Sequence, residues 1–166
     1  MSARDESSPR RPAALGLNIA LESPDQPDVI ALIAELDAYQ ETLYPPESRH
    51  PLDLASLKRD DVRFFVARDD AGEALGCCAV VLRDDHGEIK RLFVRPVCRG
   101  RGIAAGLLRA VEVASAAAGR RHLMLETGTG QPEALGLYGA AGYARRGPFH
   151  DYRDDPLSVF MEKRLA

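Results

Sequence analysis

Cysteine, long apolar runs and surplus positive charge are all scarce in this sequence, and each shortage removes a class of protein. Three cysteines, two of them the neighbours Cys77 and Cys78 inside an apolar run, do not make a disulfide framework, which points to a reducing compartment. The opening stretch MSARDESSPRRPAA lacks the apolar core of a secretory signal. No later stretch reaches the ~18 apolar residues that a membrane span requires. A cytoplasmic protein without membrane attachment is expected. A formal charge of -3 gives no electrostatic footprint for a long polyanion, so nucleic acid is excluded as a partner. No His, Cys and carboxylate spacing suggests a metal site.

What is present fits one α/β domain. A chain of 166 residues closes one sizeable core and leaves little for a second. Residues 1–13 mix Ser, Pro and alternating charge with almost no apolar side chains, so a flexible tail is expected there, followed by a single domain over 14–166. Leu15, Leu17 and Ile19 alternate as in a half-buried strand, and the following SPDQPD offers Ser and Asp caps with an early helical proline. Val29, Leu32, Ile33, Leu36, Tyr39 and Leu43 recur at three- and four-residue steps on one helix face, which Pro45 and Pro46 terminate after Tyr44.

A short helix is predicted over Leu54 to Arg59, then strands over Val62 to Arg68 and Ala74 to Leu82 joined by the turn Asp69-Asp70-Ala71-Gly72. Glu88 to Arg95 reads as a strand that Pro96 ends. Ile103, Leu107, Leu108, Val111 and Ala114 define a helix closed by Gly119. A buried strand over Leu123 to Thr127, a helix over Pro132 to Ala141, an irregular charged linker and a last strand over Leu157 to Arg164 complete the chain.

The segment Arg99-Gly100-Arg101-Gly102-Ile103-Ala104 lies between a strand and a helix, where several unpaired backbone amides point outward together. Glycine permits the tight turn, the helix dipole adds about half a positive charge, and Arg99 and Arg101 supply charge-assisted donors. Such a turn suits a small, multiply charged anion; a plain strand-to-helix turn with a solvated arginine face is the alternative. The sequence has no G-x-x-x-x-G-K-[ST], and no third spaced glycine with a ribose-binding acid downstream. P-loop and dinucleotide folds are thereby set aside.

The stretch EIKRLFVRPVCRGRGIA resembles motif A of the GCN5-related N-acetyltransferases, whose Q/R-x-x-G-x-G/A loop holds the pyrophosphate of coenzyme A. Arg99, Gly102 and Ala104 match its defining positions. LYGAAGY at residues 137–143 resembles the same family's motif B. PPES at 45–48, HGEIK at 86–90 and the tail PFHDYRDDPLSVFM are similar to a bacterial branch named for acetylation of proteins or indole-3-acetic acid.

The resemblance implies a β-α-α-β-β-β-α-β-α-β fold: a strongly twisted mixed sheet, α+β in character, with helices on both faces. It implies an enzyme that moves an acetyl group from acetyl-CoA, its cosubstrate, to the amine of a small molecule or protein by direct attack in a ternary complex. Cofactor contacts fall on Leu92, Phe93, Val94, Arg99, Gly100, Arg101, Gly102, Ile103, Ala104, Gln131 and Tyr138. Gln131 stands where many members carry Asn, so the amide is kept on a longer arm. Pairing through terminal strands gives a possible homodimer.

Amide formation needs a neutral amine, an oxyanion donor and a proton for the departing thiolate. Deprotonating a lysine-like amine at pH 7 costs about 4.6 kcal/mol, and an α-amine only about 1.1. The resemblance places Tyr138 as general acid and the Leu92 amide as oxyanion donor. The base is open between Glu88, eleven residues before Arg99 as in the histone-acetylating branch, and Glu126, acting through water. Lys90 should share the strand face of Glu88 and weaken it as a base. Arg49, Lys90 and Arg146 are candidates to pair with an acceptor carboxylate, and His50, His86 and His150 to line the acceptor site. A coenzyme-binding domain without turnover, or a transferase using another acyl-CoA, are the competing readings.

Overall fold

The computed structural model describes residues 16–50 and 52–166. The tail expected over 1–13, and Leu15 of the first predicted strand, lie outside them. Seven strands form one sheet in the order β1-β2-β3-β4-β5-β7-β6. They are β1 (Asn18–Leu21), β2 (Val62–Arg68), β3 (Ala74–Leu82), β4 (Gly87–Val94), β5 (His122–Gly128), β6 (Ala144–Arg146) and β7 (Ser158–Arg164). The helices are α1 (Pro27–Leu43), α2 (Leu54–Leu57), α3 (Ile103–Ala117) and α4 (Pro132–Ala140). Neighbouring strands run antiparallel except β4 and β5, which are parallel.

Strand β3 shows why the sheet needs cover on both sides. Cys78 and Val80 pack with α3 residues Leu107, Leu108 and Val111. Their neighbours Cys77, Ala79 and Val81 pack with Val29, Leu32 and Leu36 of α1. Successive side chains of a strand point to opposite faces, so a continuous apolar run belongs between two helical layers. All three cysteines are buried and free, and burial pushes the Cys77 thiol up to about 12.

Several boundaries differ from expectation, each for a local reason. Strand β6, paired with β7 from Ala144 to Arg146, adds an eleventh element in what reads as linker; an ARR tripeptide has no apolar alternation to reveal it. Helix α1 is capped by neither Ser23 nor Asp25. Gln26 takes that position without a side-chain cap, and Ser23 accepts from the Asp25 amide instead. Helix α2 stops at Leu57, two residues short of the predicted Arg59. Among the described residues no helix is long and apolar enough to cross a membrane.

Gly76 marks the tightest approach of β3 to β4. A Cβ there would lie 2.7 Å from the Phe93 carbonyl oxygen and 3.2 Å from Leu107 Cδ1. Because the first contact is backbone, Gly76→Ala should displace β4 and cost about 1–3 kcal/mol, the range for overpacking a core. The midpoint of urea unfolding measures it.

Candidate active site

The parallel pair β4–β5 is short. It runs in register from Gly87↔Leu123 through Glu88↔Met124 to Ile89↔Leu125. Beyond Ile89 the strands part, although each continues by several residues. A cleft of about 550 Å³ opens between them, with Leu92, Phe93 and Val94 on one wall, Glu126, Thr127 and Gly128 on the other, and Tyr138 and Gln131 from α4 and its N-cap.

Strand β4 is also bulged. Cys77 pairs with Phe93 and Ala79 with Lys90, so Arg91 and Leu92 together oppose Cys78. Arg91 takes a left-handed conformation with φ of 60°, which a non-glycine residue holds only when its surroundings impose it. The restraint is visible. Its guanidinium donates to Asp37 Oδ1 at 2.5 Å and, through Nε and Nη2, to the Leu52 carbonyl at 3.2 and 3.1 Å.

At the other end of the cleft, Pro96–Cys98 forms a 3₁₀ turn and α3 begins after Gly102. Gly100 and Gly102 have φ of 80° and 76°, so glycine is needed at both. The first amide of this region with a protein acceptor is Gly106, bonded to the Gly102 carbonyl at 3.0 Å. Among the described residues, none of the amides from Gly100 to Ala105 has a protein acceptor, and this row opens at a helix N-terminus. Arg99 lies alongside, donating to the Val94 carbonyl at 3.3 Å, with its guanidinium 5.8 Å from the Tyr39 ring centre.

The two candidate carboxylates occupy opposite environments. Glu88 has no exposed surface. It accepts from Arg83 at 2.9 Å and from the Tyr152 hydroxyl at 2.6 Å, with Lys90 Nζ 3.3 Å away. Burial raises its pKa, but Lys90, Tyr152 and Arg83 together outweigh burial and hold it below the ordinary carboxylate range. Glu126 lines the cleft. Burial pushes it to about 7, with Glu88 and Asp155 adding to the rise, while Ser158 and Lys90 compensate only in part.

Most residues singled out from the sequence meet in this cleft: Leu92, Phe93, Val94, Arg99, Gly100, Gly102, Ile103, Ala104, Glu126, Gln131 and Tyr138 all line it. Arg101 is exposed and outside its lining. Glu88 is outside as well, and its pairing with Lys90 is buried rather than a surface contact. Of the histidines, His50 alone lines the cleft; burial and Lys90 lower its pKa and keep it neutral.

Two of the cations proposed to bind an acceptor carboxylate, Arg146 and Lys90, are already engaged, whereas Arg49 keeps a buried Nε without a hydrogen-bond partner among the described residues. Arg146 donates to Glu162 at 2.7 Å, and Arg49 sits 3.5 Å from Glu41. Lys90 donates to the His50 carbonyl and the Tyr152 hydroxyl beside Glu88. The sequence reading missed Arg83, five residues from Glu88, and Tyr44, Tyr152 and Asp37, which act across 54 residues of chain or more.

Parting strands with a turn of unpaired amides at one end and a half-buried carboxyl between them are the site of an acyltransferase, as the comparisons with known proteins show. The family model described as "Acetyltransferase (GNAT) family" matches residues 30–143, and the chain belongs to that family. It is 48% identical over 151 residues to "IAA acetyltransferase" of Azospirillum brasilense, covering 90% of this chain and 98% of the relative. A crystal structure from Klebsiella pneumoniae, provisionally named an acyl-CoA N-acyltransferase, is 41% identical with a TM-score of 0.81, covering 90% of this chain and 98% of that one. The fold is shared with the PaiA N-acetyltransferase of Thermoplasma acidophilum, solved with coenzyme A, at 17% identity and a TM-score of 0.69 over 90% of this chain and 99% of that one.

Gly102 separates ligand binding from folding, since a Cβ there meets nothing within 4 Å. Gly102→Glu puts an anion on the turn at a backbone strain of about 1 kcal/mol. It should abolish the rise in melting temperature that acetyl-CoA produces. Gly102→Ala, carrying the same strain without the charge, should retain part of that rise.

Proposed function

We propose that the protein transfers the acetyl group of acetyl-CoA to a primary amine of a small molecule or protein, by direct attack within a ternary complex. The observation that carries this reading is the cleft between the parted strands, with the unpaired amides from Gly100 to Ala105 at one end and the Glu126 carboxyl in its wall; burial raises the pKa of Glu126 to about 7. Two neighbouring carboxylates driven apart in pKa are the mark of divided roles. Glu88, held ionised by three partners, organises Lys90 and Tyr152. Glu126 accepts the proton of the incoming ammonium, through water, and its pKa suits an acceptor that must lose a proton near neutral pH.

The coenzyme's pyrophosphate docks on the amides from Gly100 to Ala104, beside Arg99, with the pantetheine arm running past Val94, Phe93 and Leu92. The Leu92 amide, on the bulged segment, stabilises the tetrahedral oxyanion. Tyr138, buried against Tyr143 with ring centres 5.8 Å apart, protonates the leaving thiolate. Burial raises its pKa, which makes the phenol a weaker acid than free tyrosine, so in this reading it gives up its proton only as negative charge develops on the leaving sulfur. A single domain over 14–166 is part of this reading, and the acetyl preference rests on the pocket near Leu92, because the phosphate turn does not touch the acyl group.

Glu126 gives the pH test. Below about 7 it is protonated and cannot act as base, so kcat should rise as pH passes through that value. In Glu126→Gln the rise should vanish and kcat fall roughly 10²-fold or more. Stability separates the two carboxylates. Glu126, with its pKa raised in the folded state, destabilises that state increasingly as pH climbs from 4.5 toward 7, so its Gln variant should be as stable as wild type or more so at pH 8. Glu88, with its pKa depressed, stabilises above 4.5 and loses that contribution as pH falls through its folded value. Glu88→Gln should cost roughly 2–4 kcal/mol at pH 8. Melting curves across pH read both.

Tyr138→Phe should leave acetyl-CoA affinity within about twofold and lower kcat by roughly 10²-fold, the typical contribution of a positioned general acid. Unchanged kcat in steady-state assays of thiol release would remove Tyr138 from the mechanism.

A further inference from the structure

Tyr44 closes helix α1 in front of Pro45 and Pro46, and the chemistry described so far gives it no part. It is 8% exposed and lies in the wall of the cleft. Its ring lies against the turn between β5 and α4: a Cβ on Gly128 would come within 1.8 Å of the Tyr44 oxygen, and one on Gly130 within 3.3 Å. Glycine at 128 is therefore what lets the ring in.

The hydroxyl is saturated from both sides. It accepts from the Gly130 amide at 3.2 Å and donates to Gln131 Oε1 at 3.2 Å. A phenol has one proton, so with an N–H already arriving, the partner it prefers on the other side is an acceptor. That fixes which end of the Gln131 amide meets it. The carboxamide oxygen is taken up by Tyr44, and the amide nitrogen, with two N–H donors and no protein partner among the described residues, is left in a residue that lines the cleft.

We infer that Tyr44 is a positioning residue for the coenzyme: its hydroxyl orients the Gln131 carboxamide so that the N–H groups serve an amide carbonyl of the pantetheine arm. The inference rests on the acetyl-CoA reading above. It also accounts for glutamine at this position, since the longer arm reaches back to Tyr44 and still borders the cleft. The proline pair and Gly128-Thr129-Gly130 become parts of one device, a helix end plugged into a turn.

The test compares two ligands on the full-length protein by calorimetry. Acetyl-CoA carries both halves of the coenzyme; 3′-phosphoadenosine 5′-diphosphate keeps the pyrophosphate and lacks the pantetheine arm. Tyr44→Phe, which keeps the ring, should weaken acetyl-CoA binding by roughly 5- to 20-fold, the scale of one lost hydrogen bond, and leave the nucleotide unchanged. Gln131→Ala should show the same selectivity, and the double variant should be no weaker than Gln131→Ala alone.

Equal weakening of both ligands would make Tyr44 a structural plug and overturn the inference. So would unchanged acetyl-CoA affinity, or penalties that multiply in the double variant. Wild-type protein that binds neither ligand would overturn the acetyl-CoA reading itself, an outcome distinct from these.

Discussion

Everything in the cleft depends on where the β4–β5 pairing stops. One step beyond Ile89↔Leu125, the next pair in register would be Lys90 with Glu126, on the same face of the sheet. Were the strands to continue together, an ammonium and a carboxylate would stand side by side, and each would hold the other ionised. The strands part at that point, and the backbone groups on either side lose their ladder partners. Lys90 turns to Glu88 and Tyr152, while Glu126 keeps a burial penalty that Ser158 and Lys90 offset only in part. The parting of the strands thus leaves Glu126 without a β4 partner across the ladder, and its burial moves it to about 7.

Holding two strands apart inside a packed sheet needs support from both layers. On one face α3 packs on Ile89 and Val94; on the other α1 packs on Phe93. The bulge at Arg91 is kept by a single guanidinium that joins α1, through Asp37, to the Leu52 carbonyl. A non-glycine residue at positive φ stores on the order of 1–3 kcal/mol of strain. Three charge-assisted hydrogen bonds from a nearly buried arginine are of the size needed to offset it. The segment before α2 and the wall of the cleft are therefore mechanically one piece.

How much of this was legible in the sequence follows from the range of each interaction. Helices α1 and α3 declare themselves through spacing, because burial against a neighbour repeats every few residues, and strand β3 through an unbroken apolar run. The turn before α3 does so because left-handed backbone at 100 and 102 calls for glycine. By contrast, Arg91 adopts the same kind of backbone with no glycine to signal it, held by partners 39 and 54 residues away. Strand β6 is three residues long and mostly exposed, so neither period nor hydrophobicity marks it. Tyr152, in a stretch that reads as charged linker, packs its ring on Phe149 and Phe160 and becomes the hydrogen bond that completes Glu88. The linker looked irregular because its order comes from contacts with β4 and β7 rather than from its own backbone.

The two carboxylates show what spacing can and cannot decide. From sequence, Glu88 and Glu126 were rival bases, and the nearby Lys90 argued against the first. Geometry strengthens that objection, since Arg83 and Tyr152 join Lys90 and Glu88 is wholly enclosed. A carboxylate with three donors and no exposed surface neither reaches an acceptor nor takes up a proton near pH 7. Its charge still matters to Glu126, adding to the forces that raise that pKa. Lys90 opposes the rise by more than Glu88 adds to it, and burial outweighs both. Burial in the cleft wall, offset only in part, and not the paired carboxylate beside it, is thus what sets Glu126 apart from Glu88.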